Sequence, residues 1–142
     1  MTMAIPTHLQ LQIVSADRSL VNEQVDEVQI PGADGYLGIL PGHTPLLTTL
    51  HVGQLWYRQG PEKHYLSIAF GFAEVQPDRV TILAQIAERA DEIDVGRAEA
   101  AKRRAEERLA KPGAEMDFER ARIALLKALV RLQVASRART RA

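Results

Sequence analysis

Polar and apolar residues alternate over His8-Leu9-Gln10-Leu11-Gln12-Ile13-Val14, which predicts a strand with one buried face. Val25, Val28 and Ile30 predict a second strand, stopped by Pro31-Gly32. Gly35-Tyr36-Leu37-Gly38-Ile39-Leu40 runs into the turn Pro41-Gly42, and Leu46-Leu47 follows Pro45. Leu55-Trp56-Tyr57-Arg58 stops at Gln59-Gly60-Pro61, and apolar residues resume at His64–Phe70 and Phe72–Val75. Gln76-Pro77-Asp78-Arg79 predicts a hairpin turn into Val80-Thr81-Ile82-Leu83-Ala84. Short strands at this spacing predict an antiparallel β-sandwich or barrel.

The period changes near residue 87. Asp94 is a good N-cap for a helix over 95–110, with Ala98, Ala101, Ala105 and Leu109 or Ala110 on one stripe. Lys111-Pro112-Gly113-Ala114 breaks that helix. Asp117 then caps a second, with Ala121, Leu125, Ala128, Leu132 and Ala135 on one face. The expected fold is all-β plus α: residues 1–87 form the sandwich, and residues 88–142 form an antiparallel two-helix hairpin. Stripes made mostly of alanine bury little area, so the hairpin seam should be weak and the hairpin mobile.

Charge reverses at the same place. Residues 1–87 carry four Lys/Arg and eight Asp/Glu, whereas residues 88–142 carry fourteen and ten. From Arg120 onward there are seven basic residues and no acid, which suits an acidic partner. The basic stretch has no interleaved aromatics, so it offers no stacking platform for nucleic acid, and a plain solvated face is the alternative. The chain has no cysteine, so a disulfide framework and a thiolate metal site are excluded. His8, His43, His51 and His64 lack metal-ligand spacing, and no metal is expected. No apolar run reaches the roughly 20 residues that span a bilayer, and no basic apolar leader or transit peptide is evident. No Ser/His/Asp set or nucleophile elbow is present, so catalysis by this chain alone is not expected. The run Gly35–Leu47 is dense in turn formers but lacks the Gly-Lys-Ser/Thr ending of a phosphate loop.

That run, Gly35-Tyr36-Leu37-Gly38-Ile39-Leu40-Pro41-Gly42-His43-Thr44-Pro45-Leu46-Leu47, resembles the corresponding stretch of the epsilon subunit of bacterial F-type ATP synthase. Val80–Ala84, Ala87-Glu88-Arg89-Ala90 and the order of the two modules are similar to that family as well. The resemblance implies a non-catalytic rotor subunit that couples proton flow to ATP synthesis, peripheral to a bacterial plasma membrane on its cytoplasmic side. It implies three partners: the γ subunit of the central stalk, the ring of membrane c subunits, and, with the hairpin extended, acidic loops of the catalytic beta subunits. Tyr36, Gly38, Pro41, Gly42 and His43 would then face the ring or the shaft, and Arg131, Arg137, Arg139 and Arg141 would make the inhibitory contacts. Two positions depart from the family. Tyr36 stands where an acid or Gln is usual, and Phe70-Gly71-Phe72 replaces a more usual Gly-Gly-Phe, which implies a local packing change.

Ile93-Asp94-Val95-Gly96-Arg97-Ala98 matches the Ile/Leu-Asp-x-x-Arg-Ala pattern with which some members bind regulatory ATP. The resemblance also places Glu88, Arg104, Lys127 and Arg131 near that nucleotide. A carboxylate can accept from an adenine amino group or a ribose hydroxyl, and an Arg can face phosphate or stack on a base. The plainer alternative is that Asp94 only caps a helix. A second alternative is a nucleotide sensor that works outside any assembly.

Overall fold

In a computed structural model, residues 4–111, 113 and 117–139 are described, the side chain of Arg139 excepted. Seven strands come first: β1 (Leu9–Val14), β2 (Ser19–Val25), β3 (Glu27–Gly32), β4 (Gly35–Ile39), β5 (Leu46–Gln59), β6 (Glu62–Gln76) and β7 (Arg79–Arg89). A 3-10 turn at Ala90–Glu92 leads to α1 (Val95–Ala110) and α2 (Phe118–Arg139). The strands form one sheet in the order β2-β1-β7-β6-β5-β3-β4. All neighbours are antiparallel except β1 and β7, which run parallel, so the sandwich is not purely antiparallel as the sequence suggested.

The sheet folds over on itself. β2, at one edge, touches β5, and Gln59 Nε2 donates to the Gln24 carbonyl at 2.9 Å across the two layers. Between the layers lies a core that includes Leu9, Leu11, Ile13, Val28, Ile30, Ile39, Leu55, Tyr57, Leu66, Ile68, Val80 and Ile82, all essentially inaccessible to water. Burial of the Tyr57 ring pushes its hydroxyl above the usual phenol range.

Strands β5 and β6 are 14 and 15 residues long, much longer than the short segments read from the sequence. The cause is a corner inside β6. Phe70 has φ 62 and Gly71 has φ 129, both in the left-handed half of backbone space. The ladders step from Val52–Ala69 to Leu50–Gly71 on one side, and from Ala69–Ile86 to Gly71–Ala84 on the other, passing over Phe70. One strand thus serves both layers, while its apolar period breaks at the bend. Gly71 cannot be replaced there, because an added Cβ would lie 2.1 Å from the Leu83 carbonyl oxygen. Phe70 carries a side chain in a conformation that costs a non-glycine residue about 1–2 kcal/mol.

The helices pack unequally. α1 rests chiefly on α2 through Ala98 and Ala105, the expected alanine seam. α2 also lies on β5, β6 and the 3-10 turn through a second cluster that the sequence reading missed. That cluster joins Val130, Val134 and Ala135 to Val52, Ala69 and Ile93, with Leu126, Tyr65 and Phe70 partly buried against it. A fully buried valine contributes about 1.5–3 kcal/mol, far more than an alanine contact, so docking on the sheet is firmer than the stripes implied. Asp94 and Asp117 cap the helices as expected, accepting from the amides of Arg97 and Arg120 at 3.1 Å.

The link between the modules is clasped. The Glu92 carboxylate accepts the Arg89 amide at 3.1 Å and pairs with Arg18 Nη1 at 2.5 Å, while the Arg89 guanidinium donates to the Leu20 carbonyl. The hydrogen bond from Arg18 holds the Glu92 carboxyl below its usual range.

Two outcomes follow from this packing. Gly71→Ala should destabilise the sandwich by at least about 2 kcal/mol in chemical denaturation, whereas Gly60→Ala, with nothing near its Cβ, should cost less. Because the Glu92 pKa is depressed on folding, the clasp's contribution is complete above the ordinary carboxylate range and is lost as pH falls through the lowered value. Amide exchange around residues 89–93 should therefore rise on acidification beyond its intrinsic pH dependence, and Glu92→Gln should remove that excess.

Candidate functional site

Between the sheet and the helix pair lies a cleft of about 430 Å³. Its floor is mainly apolar, from Val52, Ala69 and Ile86 with Ser67 beside them, and its helical wall is built from Ala101, Ala124 and Ala128. Larger residues at those three positions would fill it, so the alanine stripe that weakens the seam also creates the space. Glu88, Arg97, Lys127 and Arg131 bring charge to it.

These four groups are not equivalent. Arg131 and Glu88 form a two-pronged ion pair, Nε to Oε1 at 2.7 Å and Nη2 to Oε2 at 3.1 Å, with each side chain 24% exposed. The pair ties α2 to β7 and gives each partially buried charge its counterion. Lys127 lies one helical turn before Arg131, its Nζ 5.6 Å from the centre of the Phe70 ring. Among the described residues, neither Arg97 nor Lys127 has an anionic partner. The cleft thus offers two uncompensated cations and one engaged carboxylate above an apolar floor, a chemistry suited to an anion carrying a flat apolar group.

The other residues named for nucleotide binding lie elsewhere. Asp94 is the α1 cap and does not line the cleft. Ile93 is buried in the cluster under α2, and Ala98 is closed to solvent against α2, so both shape the site without facing it. Arg104 is exposed two turns beyond Arg97 and shares a groove with Glu107, Arg108 and Lys111. Gly96 has room for a Cβ, whose closest neighbour would be Asp94 Oδ1 at 3.5 Å.

At one end of the sandwich, β4 is an edge strand followed by the turn at Pro41-Gly42. Gly42 has φ 85 and its amide donates to the Pro77 carbonyl at 2.7 Å. The His43 ring lies against the following backbone, with Nδ1 at 2.7 Å from the Thr44 carbonyl oxygen. Tyr36 folds back over the sheet, where its hydroxyl accepts the Gln54 amide at 3.2 Å. Gly53 leaves the room for this, because a Cβ there would meet Pro31 and Tyr36 at 2.6 and 2.7 Å. Gly38 is exposed, Pro41 is half-buried, and Leu40, Leu47 and Ile5 add apolar surface.

A further apolar patch was not read from the sequence. Phe72 and Leu83 are cross-strand partners, 55% and 54% exposed, beside a shallow groove lined by Val14 and Ala16. The alternation of Val80, Ile82 and Ala84 on β7 and of Ala73 and Val75 on β6 is the signal that turns both residues outward, and apolar side chains on an outward face are what that reading overlooks. Of the basic residues expected to reach an acidic partner, Arg131 is held by Glu88 and Arg137 lies 5.0 Å from the Tyr65 ring. The Arg139 side chain and Arg141 lie outside the described residues.

Comparison with known proteins matches both modules. Residues 8–90 match the family described as ATP synthase, Delta/Epsilon chain, beta-sandwich domain, and residues 91–136 match ATP synthase, Delta/Epsilon chain, long alpha-helix domain. The chain is 50% identical over 126 residues to the ATP synthase epsilon chain of Desulforamulus reducens, covering 89% of this chain and 96% of that one. It is 45% identical over 133 residues to the epsilon chain of Solibacter usitatus, covering 94% and 99%. Among solved structures, a chain in the Euglena gracilis mitochondrial ATP synthase OSCP/F1/c-ring assembly aligns with a TM-score of 0.81 at 27% identity, covering 94% of this chain and 84% of that chain. A chain from the Tetrahymena thermophila mitochondrial ATP synthase central stalk and c-ring shares the fold, with a TM-score of 0.54 at 12% identity and coverage of 95% and 98%. With both modules matched in order and relatives aligned along most of their length, the chain belongs to the ATP synthase delta/epsilon family, among the bacterial epsilon chains.

Proposed function

We propose that this chain works as a non-catalytic rotor subunit whose sandwich joins the γ subunit to the ring of membrane c subunits, at the cytoplasmic face of a bacterial membrane. The helix pair is its regulatory element. It lies docked in one state; in the other it extends toward acidic loops of the catalytic beta subunits and slows ATP hydrolysis. The observation that carries this reading is the separateness of the docking cluster: α2 is held through Val130, Val134 and Ala135, apart from the core between the sheet layers. The helices can leave without opening that core.

The docked state hides part of the basic stretch, since Arg131 is paired with Glu88 and Arg137 lies against Tyr65. Release would free both for an acidic partner. ATP is the proposed ligand of the docked state. Its phosphates carry the negative charge that Arg97 and Lys127 lack, and its base matches the apolar floor. Only docking brings α1, α2 and β7 around one cleft, so a ligand there favours the docked state by its differential affinity. At a hundredfold excess over Kd the gain is about 2.7 kcal/mol, enough to decide a shallow equilibrium.

Tyr36, Gly38, Pro41, Gly42 and His43 form the proposed end that meets the ring, with Leu40 and Leu47 adding apolar contact. Phe72 and Leu83 form the proposed seat for γ, as an exposed apolar pair of the kind that interfaces cover.

Binding to recombinant γ tests the assembly. The native chain should bind with one-to-one stoichiometry, and Phe72→Asp with Leu83→Asp should weaken binding at least about a hundredfold while leaving the fold intact by circular dichroism. Unchanged affinity would remove this face from the γ interface. No binding by the native chain, with ATP still bound, would favour a nucleotide sensor working alone.

Calorimetry with ATP tests the cleft. Arg97→Ala and Lys127→Ala should each weaken binding by about tenfold or more, since each removes a charge-assisted contact. Arg104→Ala should leave it unchanged, because Arg104 does not line the cleft. Absence of heat at millimolar ATP with the helices docked would remove ATP from the account.

A further inference from the structure

We propose that Phe70 is an aromatic latch for the helix pair: a residue held in a left-handed backbone conformation whose compensation comes from the cluster under α2 and not from the core between the sheet layers. The backbone observation comes first. Phe70, at φ 62, has the only positive φ among the described non-glycine residues. Glycine would adopt that angle freely, so the corner itself gives no reason for an aromatic residue.

The ring's surroundings supply the reason. Neighbouring residues of a regular strand point to opposite faces. Ala69 and Phe70 are neighbours, yet both belong to the cluster under α2. The left-handed turn at Phe70 lets two successive side chains face the helices. The ring packs outside the core between the sheet layers, which holds Ile68 and Ala73 from the same strand. It meets the His51 ring edge-on, with centroids 5.7 Å apart at 62°, and the Lys127 ammonium of α2 stands 5.6 Å from its centre. Leu126 and Val130 of α2 belong to the same cluster. When the helices lift away, the strain remains while the ring loses its cover. Phe70 therefore biases the chain toward the docked state without any ligand, and its loss should affect α2 far more than the sandwich.

The test is hydrogen exchange on the full chain without nucleotide, alongside chemical denaturation of the sandwich. Phe70→Gly removes strain and ring together. The expected result is about tenfold faster exchange of amides in 124–136 with a denaturation midpoint unchanged or raised. Phe70→Leu keeps an apolar group in the same backbone and should lie between Phe70→Gly and the native chain in α2 exchange. Unchanged α2 protection in Phe70→Gly overturns the proposal. So does a lowered midpoint with an equal loss of α2 protection, or failure of Phe70→Gly to fold, because either would make the ring part of the sandwich.

Discussion

The corner at Phe70-Gly71 is the constraint on which the molecule depends. A single seven-stranded sheet can enclose a core only if its long strands bend, and β6 bends where two successive residues take positive φ. Gly71 makes the bend possible by letting the β7 backbone pass where a Cβ would stand. Phe70 turns the same bend into a platform by aiming its ring at the helices. Just beyond the bend Phe72 faces outward opposite its β7 partner Leu83, so the two are presented together on the surface.

From that platform the helix pair is held in two different ways. Apolar burial of Val130 and Val134 fixes α2, and the Glu88–Arg131 pair fixes its rotation and register against β7. Truncating one partner of a buried ion pair costs more than the pair itself contributes, so this contact specifies a geometry more than it stabilises the fold. α1 rests chiefly on α2, joined to it by alanines that leave a cleft instead of filling it. Two cations, Arg97 and Lys127, line that cleft without carboxylate partners among the described residues.

Much of this was legible in the sequence. The strict alternation of Leu9, Leu11 and Ile13 gave β1, and Asp94 and Asp117 marked the two helix starts by their capping chemistry. β2 was missed because Ser19-Leu20-Val21-Asn22-Glu23-Gln24-Val25 places two apolar residues side by side and does not alternate. The parallel pairing of β1 with β7 was missed because partners so distant in sequence leave no local trace. On α2 the helical spacing of Ala121, Leu125, Ala128, Leu132 and Ala135 reads as the apolar face, whereas Val130 and Val134 join Ala135 toward the sheet. Glu88, Arg97, Lys127 and Arg131, which the resemblance groups around a nucleotide, all line one cleft. Arg104, which the resemblance groups with them, stands two turns along α1 from Arg97 on nearly the same face, beyond the residues that line the cleft.

The central claim is that the helix pair and the sandwich are separate cooperative units joined by one small cluster. Native-state hydrogen exchange across a denaturant series measures this directly. The account predicts that α2 amides exchange through a local opening, with a lower free energy and a shallower denaturant dependence than the amides of β1 and β7. If α2 and the sandwich core merged onto one isotherm at every denaturant concentration, the helices would be part of the core and could not leave it without unfolding the whole chain.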